Sequence, residues 1–431
     1  MSGGAPRLRR VPLAEEGIAD PLDAIALAPG EPAFYWRSDD RDIEIAALGA
    51  VAGIEAAGAD RFREATAALQ TLAASIDDVD ASFPLAVGGF AFDDAAPLPP
   101  WEGFPALRFF VPRVLWMRRG GVRRVVVTHA GARGRTPHEL LASAIAGERR
   151  AGLPTQGEGE GAWRLRVEAA VEAIRTGRLE KIVLARRRTA VAESSPDVAP
   201  LLRELAASRP SCFTFLVRWS GRTFVGSSPE RLLRRCGDEV EADALAGSAP
   251  RGLSKTHDET LARELAASTK EKREHRIVAD AIRGALAPVS LEVTAPEEAS
   301  VLRLPEAHHL HTPVRARLAE PGRCGLFELA ARLHPTPAVC GSPREEAFRQ
   351  LAAEEPDRGW YGGGVGWVAG SGDGELAVAL RAALLDGRSA HVWAGAGIVE
   401  GSSPEREFDE TERKMSSILP YFERGKDERA A

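Results

Sequence analysis

The chain has 431 residues, 44% hydrophobic and 27% charged, with a formal net charge of -6. That length accommodates two or three average domains or one large mixed fold, and the acidic balance excludes the basic footprint of a nucleic-acid-binding protein. Four scattered cysteines, Cys212, Cys236, Cys324 and Cys340, form no C-x-x-C pair, so they give no sign of a zinc site or a disulfide framework and match a reducing cytoplasm.

Acids interrupt the N-terminal stretch "VPLAEEGIADPLDAIALAPG", and no run of 18 apolar residues occurs anywhere; neither an export signal nor a membrane partner is expected. Residues 1–155 mix short strands ("RVLWM", "VRRVVVTHA") with a helical stretch from Asp60 to Ala74 and a Pro-rich turn, "PLPPWEGFP". The aperiodic "RAGLPTQGEGEGAW" reads as a linker, which places a boundary near 150–162. Beyond it, Val167, Ala170, Val171 and Ile174 recur at helical spacing, Gly177 stops the helix, and a strand follows in which Lys181 shares a face with Val183 and Ala185. "CFTFLVRWSGRTFVGSSPE" predicts a hairpin about Ser-Gly, ending in the first of two copies of "GSSPER", at 226–231. Asp258 to about Leu286 reads as one long helix. "ELAVALRAALLDGRSAHVWAGAGIVE" reads as a second hairpin about Asp386-Gly387, leading to the other "GSSPER" at 401–406, where Ser403 is placed to cap a last helix with Pro404 at its first position. Strands and helices lack the regular alternation of a doubly wound sheet, so the class expected is α+β. The Arg-rich runs at 118–124 and 186–188 read as solvated strand ends.

On the long helix, Glu271 and Glu274 fall on the same stripe as Val278, Ala281, Ile282 and Ala285, the side a helix buries. Glu407, Glu410 and Lys414 repeat the pattern on the last helix. Two E-x-x-E pairs form either an all-oxygen site for a hard divalent ion or ordinary surface acidic pairs; a di-iron site would demand E-x-x-H motifs, which are missing. "AHHLHTP" (307–313) lacks a further ligand at zinc spacing and favours a polar loop or a substrate contact. The Gly-rich "YGGGVGWV" and "WAGAGIVEG" are not phosphate loops, and glycines inside strands mark close approach to a ligand or bulges. Lys181 is either a solvated strand cap or, if its face turns inward, a desolvated lysine suited to general-base work. Glu230, just after a strand and a Ser-Pro turn, would become an acid if its pocket is apolar.

"EKIVLAR" (180–186), "FVGSSPERLL" (224–233), "ALAGSAPRG" (244–252), "KEKREH" (270–275), "HHLHTPV" (308–314), "LHPTPAVCG" (333–341), "GGVGW" (363–367), "WAGAGIV" (393–399) and "SSPEREFDETERK" (402–414) occur in the order typical of chorismate-utilising enzymes. The resemblance covers roughly 160–424, the chorismate-binding catalytic region, while 1–155 match weakly, best at "AVGGFAFD" (86–93). It is nearest to isochorismate synthases, because the water-adding members resemble this chain in the lysine that opens "KIVLAR".

The resemblance implies one large α+β fold of two packed β-sheets with helices outside, in which 1–155 are the N-terminal part. It implies a Mg²⁺-dependent isomerisation of chorismate, by addition of water at C2 and loss of the C4 hydroxyl, with Lys181 as general base and Glu230 as general acid. Glu274 and Glu410 would hold Mg²⁺, with Glu271 and Glu407 acting directly or through metal-bound water. Arg381 and Lys414 would neutralise the enolpyruvyl carboxylate; Gly247, Ser248 and Gly395 would offer backbone or hydroxyl contacts, and His309 and Ala338 would line the pocket. A monomer without a glutaminase subunit is expected, serving siderophore, menaquinone or other secondary metabolism. Salicylate synthases, which also eliminate pyruvate, remain an alternative; ammonia-using synthases disagree with Lys181, and a non-catalytic ligand-binding relative would keep the pocket without turnover. The "GSSPER" copies read as one turn device used twice, with Glu230 a proton donor and Glu405 a plain first-turn acid.

Overall fold

Runs of β-branched and aromatic residues broken by Gly-containing turns dictate a strand-rich chain, and the computed structural model describes residues 8–13, 20–77, 83–130, 158–355 and 357–423. The stretch read as a linker from residue 150 lies outside them up to residue 157. The expected hairpin is formed by Phe213–Trp219 and Arg222–Ser228. Its turn residues Ser220 and Gly221 have φ of 49° and 76°, the mirror-image turn whose twist suits a two-residue loop.

All described ladders are antiparallel except the short pairing of Leu8–Leu13 with Ile76–Asp77. One strand, Leu107–Arg119, forks the sheet: along one edge Leu107 to Phe110 pair with Pro84–Phe90, and Val114 to Arg119 pair with Val122–Ala130. From its other edge a first arm runs through Ile43–Ala56, Ala33–Ser38, the 213–228 hairpin, Ala382–Asp386 and Ser389–Ile398 to Lys181–Val191. A second arm runs from Pro84–Phe90 through Gly364–Ala369, Gly374–Val378, Arg231–Cys236 and Glu239–Pro250 to Ala307–Leu318. The two packed sheets expected are thus two arms of one hydrogen-bonded sheet. They face each other across a core to which the first contributes Phe34, Trp36 and Phe224 and the second Val87, Val365 and Trp367. In each arm a strand from before residue 155 pairs directly with one from after it, Ala33–Ser38 with Phe213–Trp219 and Pro84–Phe90 with Gly364–Ala369.

Helices cover the outside. Glu160–Arg175 buries Trp163, Val167, Ala170, Ala173 and Ile174, and each large apolar side chain fully removed from water contributes about 1.5–3 kcal/mol. The helix read as continuous from Asp258 is two, Lys255–Ala267 and Thr269–Leu286. Ser268 stands between them in extended geometry, and its hydroxyl accepts from the Glu271 N–H at 3.3 Å; this Ser-x-x-Glu spacing starts a new helix. The second helix buries Glu274, His275, Val278, Ile282 and Leu286, whereas Ala281, assigned to the inner stripe from sequence, is exposed.

Arg186 is not a solvated strand end. It is 5% exposed, its Nε donates to Thr411 Oγ1 at 2.6 Å, it pairs with Glu412, and its guanidinium stands 4.0 Å over the Phe408 ring. It clamps the last long helix, Pro404–Met415, to the strand that begins at Lys181. Among the described residues no helix is long and apolar enough to cross a membrane, and all four cysteines are free.

Candidate active site

The inner ends of both arms and the helices Thr269–Leu286 and Pro404–Met415 enclose a cavity, the concave setting in which small ligands bind. Glu230, Gly247, Ser248, Glu274, His309, Ala338, Arg381, Gly395, Glu410 and Lys414, all singled out from sequence, line it. Lys181, Glu271 and Glu407 do not; they stand behind the lining.

Glu230 follows the strand that ends at Ser228. Its carbonyl accepts from Val378 N at 3.0 Å and its N–H meets Ser228 Oγ at 3.3 Å, which fixes the backbone. The carboxyl is buried, and Oε1 has no hydrogen-bond partner among the described residues. Burial first, then the Asp243 carboxylate, pushes its pKa up to about 8, against the pull of Lys181, Arg381 and Lys414. A carboxyl that stays protonated at neutral pH is a proton donor.

Lys181 opens its strand with its face turned inward. It is 1% exposed, and its Nζ lies 2.9 Å from Glu274 Oε1. Gly397, paired with Val183 one position before the end of the Ser389–Ile398/Lys181–Val191 ladder, keeps this contact open: a Cβ there would stand 2.2 Å from Glu274 Oε1 and 3.2 Å from Lys181 Cε.

Each of the four glutamates has its own partner. Glu274 meets Lys181; Glu410 accepts from Lys414 Nζ at 2.6 Å; Glu271 accepts from Ser248 N at 3.1 Å; Glu407 lies 3.3 Å from Lys270 Nζ, which is also 3.4 Å from Glu271. Burial and the Glu410 carboxylate raise Glu407 to about 7, and burial and Glu274 raise Glu271. Burial would raise Glu410 as well, but Lys414 holds it at about 2. Among the described residues no three potential ligands converge on one point. The donor set is nonetheless all carboxylate oxygen, and mutual repulsion adds to burial in raising two of its members, so these residues fit a hard divalent cation.

On the opposite wall, Arg381 interrupts what was read as one long strand: Gly374–Val378 and Ala382–Asp386 are separate, and Arg381 between them has φ of 50°, rare for a residue with a side chain. Its Nη2 lies 3.2 Å from His309 Nε2 and its Nε donates to Glu306 Oε1 at 3.3 Å. Burial, then Arg381 and Lys414, lowers His309 to about 3, so the ring is neutral. Arginine can only donate; Nε2 therefore accepts, and Nδ1–H points to Gly247 O at 3.3 Å. Lys414 Nζ also donates to Gly395 O at 2.9 Å. The bulge at Gly247, φ 77°, turns the Ser248 N–H toward Glu271. The other two histidines of the 307–313 run are engaged apart, His308 with Asp258 at 2.9 Å and His311 with Asp243 at 3.1 Å.

A profile described as chorismate binding enzyme matches residues 14–423. The chain belongs to the chorismate-binding enzyme family. Within it, the chain is 34% identical over 423 residues to the salicylate biosynthesis isochorismate synthase of Pseudomonas aeruginosa, covering 93% of this chain and 87% of that one. It is 30% identical to isochorismate synthase MenF of Bacillus subtilis, covering 90% and 87%. The solved structure of the menaquinone-specific isochorismate synthase MenF from Escherichia coli superposes with a TM-score of 0.79 at 27% identity, covering 98% and 97%.

The family member described here carries cavity residues that the sequence did not disclose. Tyr361 and Arg358 belong to a turn before Gly364–Ala369 and follow no periodicity. Burial pushes the Tyr361 hydroxyl up to about 12, and Arg358 is committed to Glu355, Val183 O and Val339 O at 2.6–2.7 Å. The two Gly-rich runs divide in purpose. Gly395 and Gly397 line the cavity, but Gly364 and Gly366 admit the Phe90 ring and Glu375 O in the core.

Proposed function

We infer that this chain is an isochorismate synthase, an isomerase that converts chorismate to isochorismate. The observation that carries the acid-base assignment is the buried, unpartnered Glu230 carboxyl, held protonated at neutral pH on a cavity wall behind which Lys181 lies. Lys181 takes the proton of a water that attacks C2. The ring double bonds shift, and Glu230 gives its proton to the departing C4 hydroxyl, which leaves as water, so the atoms balance and the mass is unchanged. For Lys181 to act, its amine must be released from the Glu274 pair. Arg381 and Lys414 receive the enolpyruvyl carboxylate, the former through its planar fork.

Glu274 and Glu410, supported by Glu271 and Glu407, would hold Mg²⁺, which supplies charge neutralisation for the ring carboxylate. Without it the carboxylates would repel a dianionic substrate. The reading requires no ammonia and hence no glutaminase partner. Incubating the protein with chorismate and Mg²⁺, without ammonia or glutamine, tests it: an isomer of unchanged mass is expected. Unreacted chorismate would refute the reading, and salicylate with pyruvate would show a further elimination step.

A further inference from the structure

Arg381 is held from two sides, and only one of them was legible as part of the site. Glu306 sits in the tight bend between Ser300–Arg303 and Ala307–Leu318, closed by Leu304 N to Ala307 O at 2.9 Å. Its side chain is 9% exposed and stands between two buried guanidinium groups, with Oε1 3.3 Å from Arg381 Nε and Oε2 3.7 Å from Arg209 Nε. Arg209 donates through Nη2 to Ser417 O at 2.9 Å, just beyond the helix that carries Glu407, Glu410 and Lys414. The bend, the arginine on the cavity wall and the end of the last helix are therefore linked through one carboxylate.

A buried carboxylate is costly unless paired, and this one serves two cations while lying outside the cavity lining. Arg381 donates through Nε to Glu306 and through Nη2 toward His309, which fixes the guanidinium plane on two non-parallel axes. Nη1 has no protein partner among the described residues and belongs to a residue that lines the cavity. The left-handed backbone at Arg381, φ 50°, is strained for a residue with a side chain and persists only where the surroundings hold it.

We propose that Glu306 is a positioning residue that sets the plane of the Arg381 guanidinium for a substrate carboxylate, with Arg209 balancing its charge. This rests on the reading of Arg381 as a chorismate contact. Geometry rather than charge is the active element, so a side chain that keeps the length keeps the function. Glu306→Gln retains an acceptor for Nε and is expected within about threefold of the native KM, whereas Glu306→Asp, one methylene short, raises KM for chorismate about tenfold or more with kcat changed far less. Chorismate dissociation constants from calorimetry should move in parallel with KM.

The deciding measurement is a double-mutant cycle. If Glu306 acts through Arg381, adding Glu306→Asp to Arg381→Met costs less than about twofold further. Additive losses, or a native KM in Glu306→Asp, overturn the proposal, as does an equal loss in Glu306→Gln. Thermal unfolding of each variant identifies any that lose affinity by losing structure. Binding and turnover by the native chain are the control: if it neither binds nor converts chorismate, both the functional reading and this inference fall, whereas a working native chain with an unresponsive cycle refutes the inference alone.

Discussion

Replacing Glu230 with Gln sets function and stability against each other. The folded-state pKa of about 8 lies above the ordinary 4.5, so the folded chain binds this proton more tightly than the unfolded chain. The stability it contributes is therefore fully present below the ordinary value and is lost as pH rises through about 8. At about 1.4 kcal/mol per tenfold in proton affinity, the loss amounts to roughly 5 kcal/mol above that window and about 3 kcal/mol at neutral pH. Glu230→Gln keeps the shape and removes the titration. Urea unfolding of both proteins at about pH 5 and pH 9 should show the native chain losing several kcal/mol relative to the variant. Activity should behave oppositely: the variant loses at least about a hundredfold in kcat, and native kcat/KM falls above about pH 8 as the acid ionises. Equal pH dependence of stability in the two proteins, or substantial isochorismate formation by the variant, would refute the reasoning.

Three further outcomes are expected. Lys181→Ala abolishes turnover and, by stripping the buried Glu274 of its cation, destabilises the fold by about 3 kcal/mol; denaturant unfolding that matches the native chain would show that the pair carries no weight. Gly397→Ala folds, because the atom a Cβ would meet at 2.2 Å is the end of a side chain, but it displaces Glu274 and lowers kcat by about a hundredfold; native kinetics would dismiss the close approach as unimportant. Chelation with EDTA stops the reaction and added Mg²⁺ restores it, whereas undiminished turnover in EDTA would remove the metal from the mechanism.

Much of the site was legible because its residues are tied to local signals. Ser403 does cap its helix, accepting from Arg406 N at 3.3 Å with Pro404 next, and that start fixes the phase that brings Glu407, Glu410 and Lys414 toward the cavity. Glu405, the twin of Glu230, pairs on the surface with Arg164, as a plain first-turn acid would. What escaped depends on long-range packing. Nothing near Ala379 announced that a strand would break to give Arg381 a left-handed backbone, because the contacts made there come from elsewhere in the chain: Arg381 O accepts from Ser227 N at 3.2 Å, and its guanidinium meets Glu306 and His309. Ser268 was passed over inside a helical pattern since its capping role appears only when the neighbouring turn is extended. Arg186 looked solvated by its neighbours Arg187 and Arg188, yet alternation sends it under the last helix.

The forked strand Leu107–Arg119 has a consequence for how the protein comes into being. Its partner Pro84–Phe90 must wait for Gly364–Ala369, and Ala33–Ser38 must wait for Phe213–Trp219. Such non-local pairing slows folding, because loop-closure entropy is spent before the contacts that offset it form. During synthesis the early strands therefore leave the ribosome with open edges that only later segments can cover, a period in which they are exposed to wrong pairing. Since Glu410 and Lys414 are made later still, a nascent chain has no complete binding pocket until nearly all of the described sheet has been assembled.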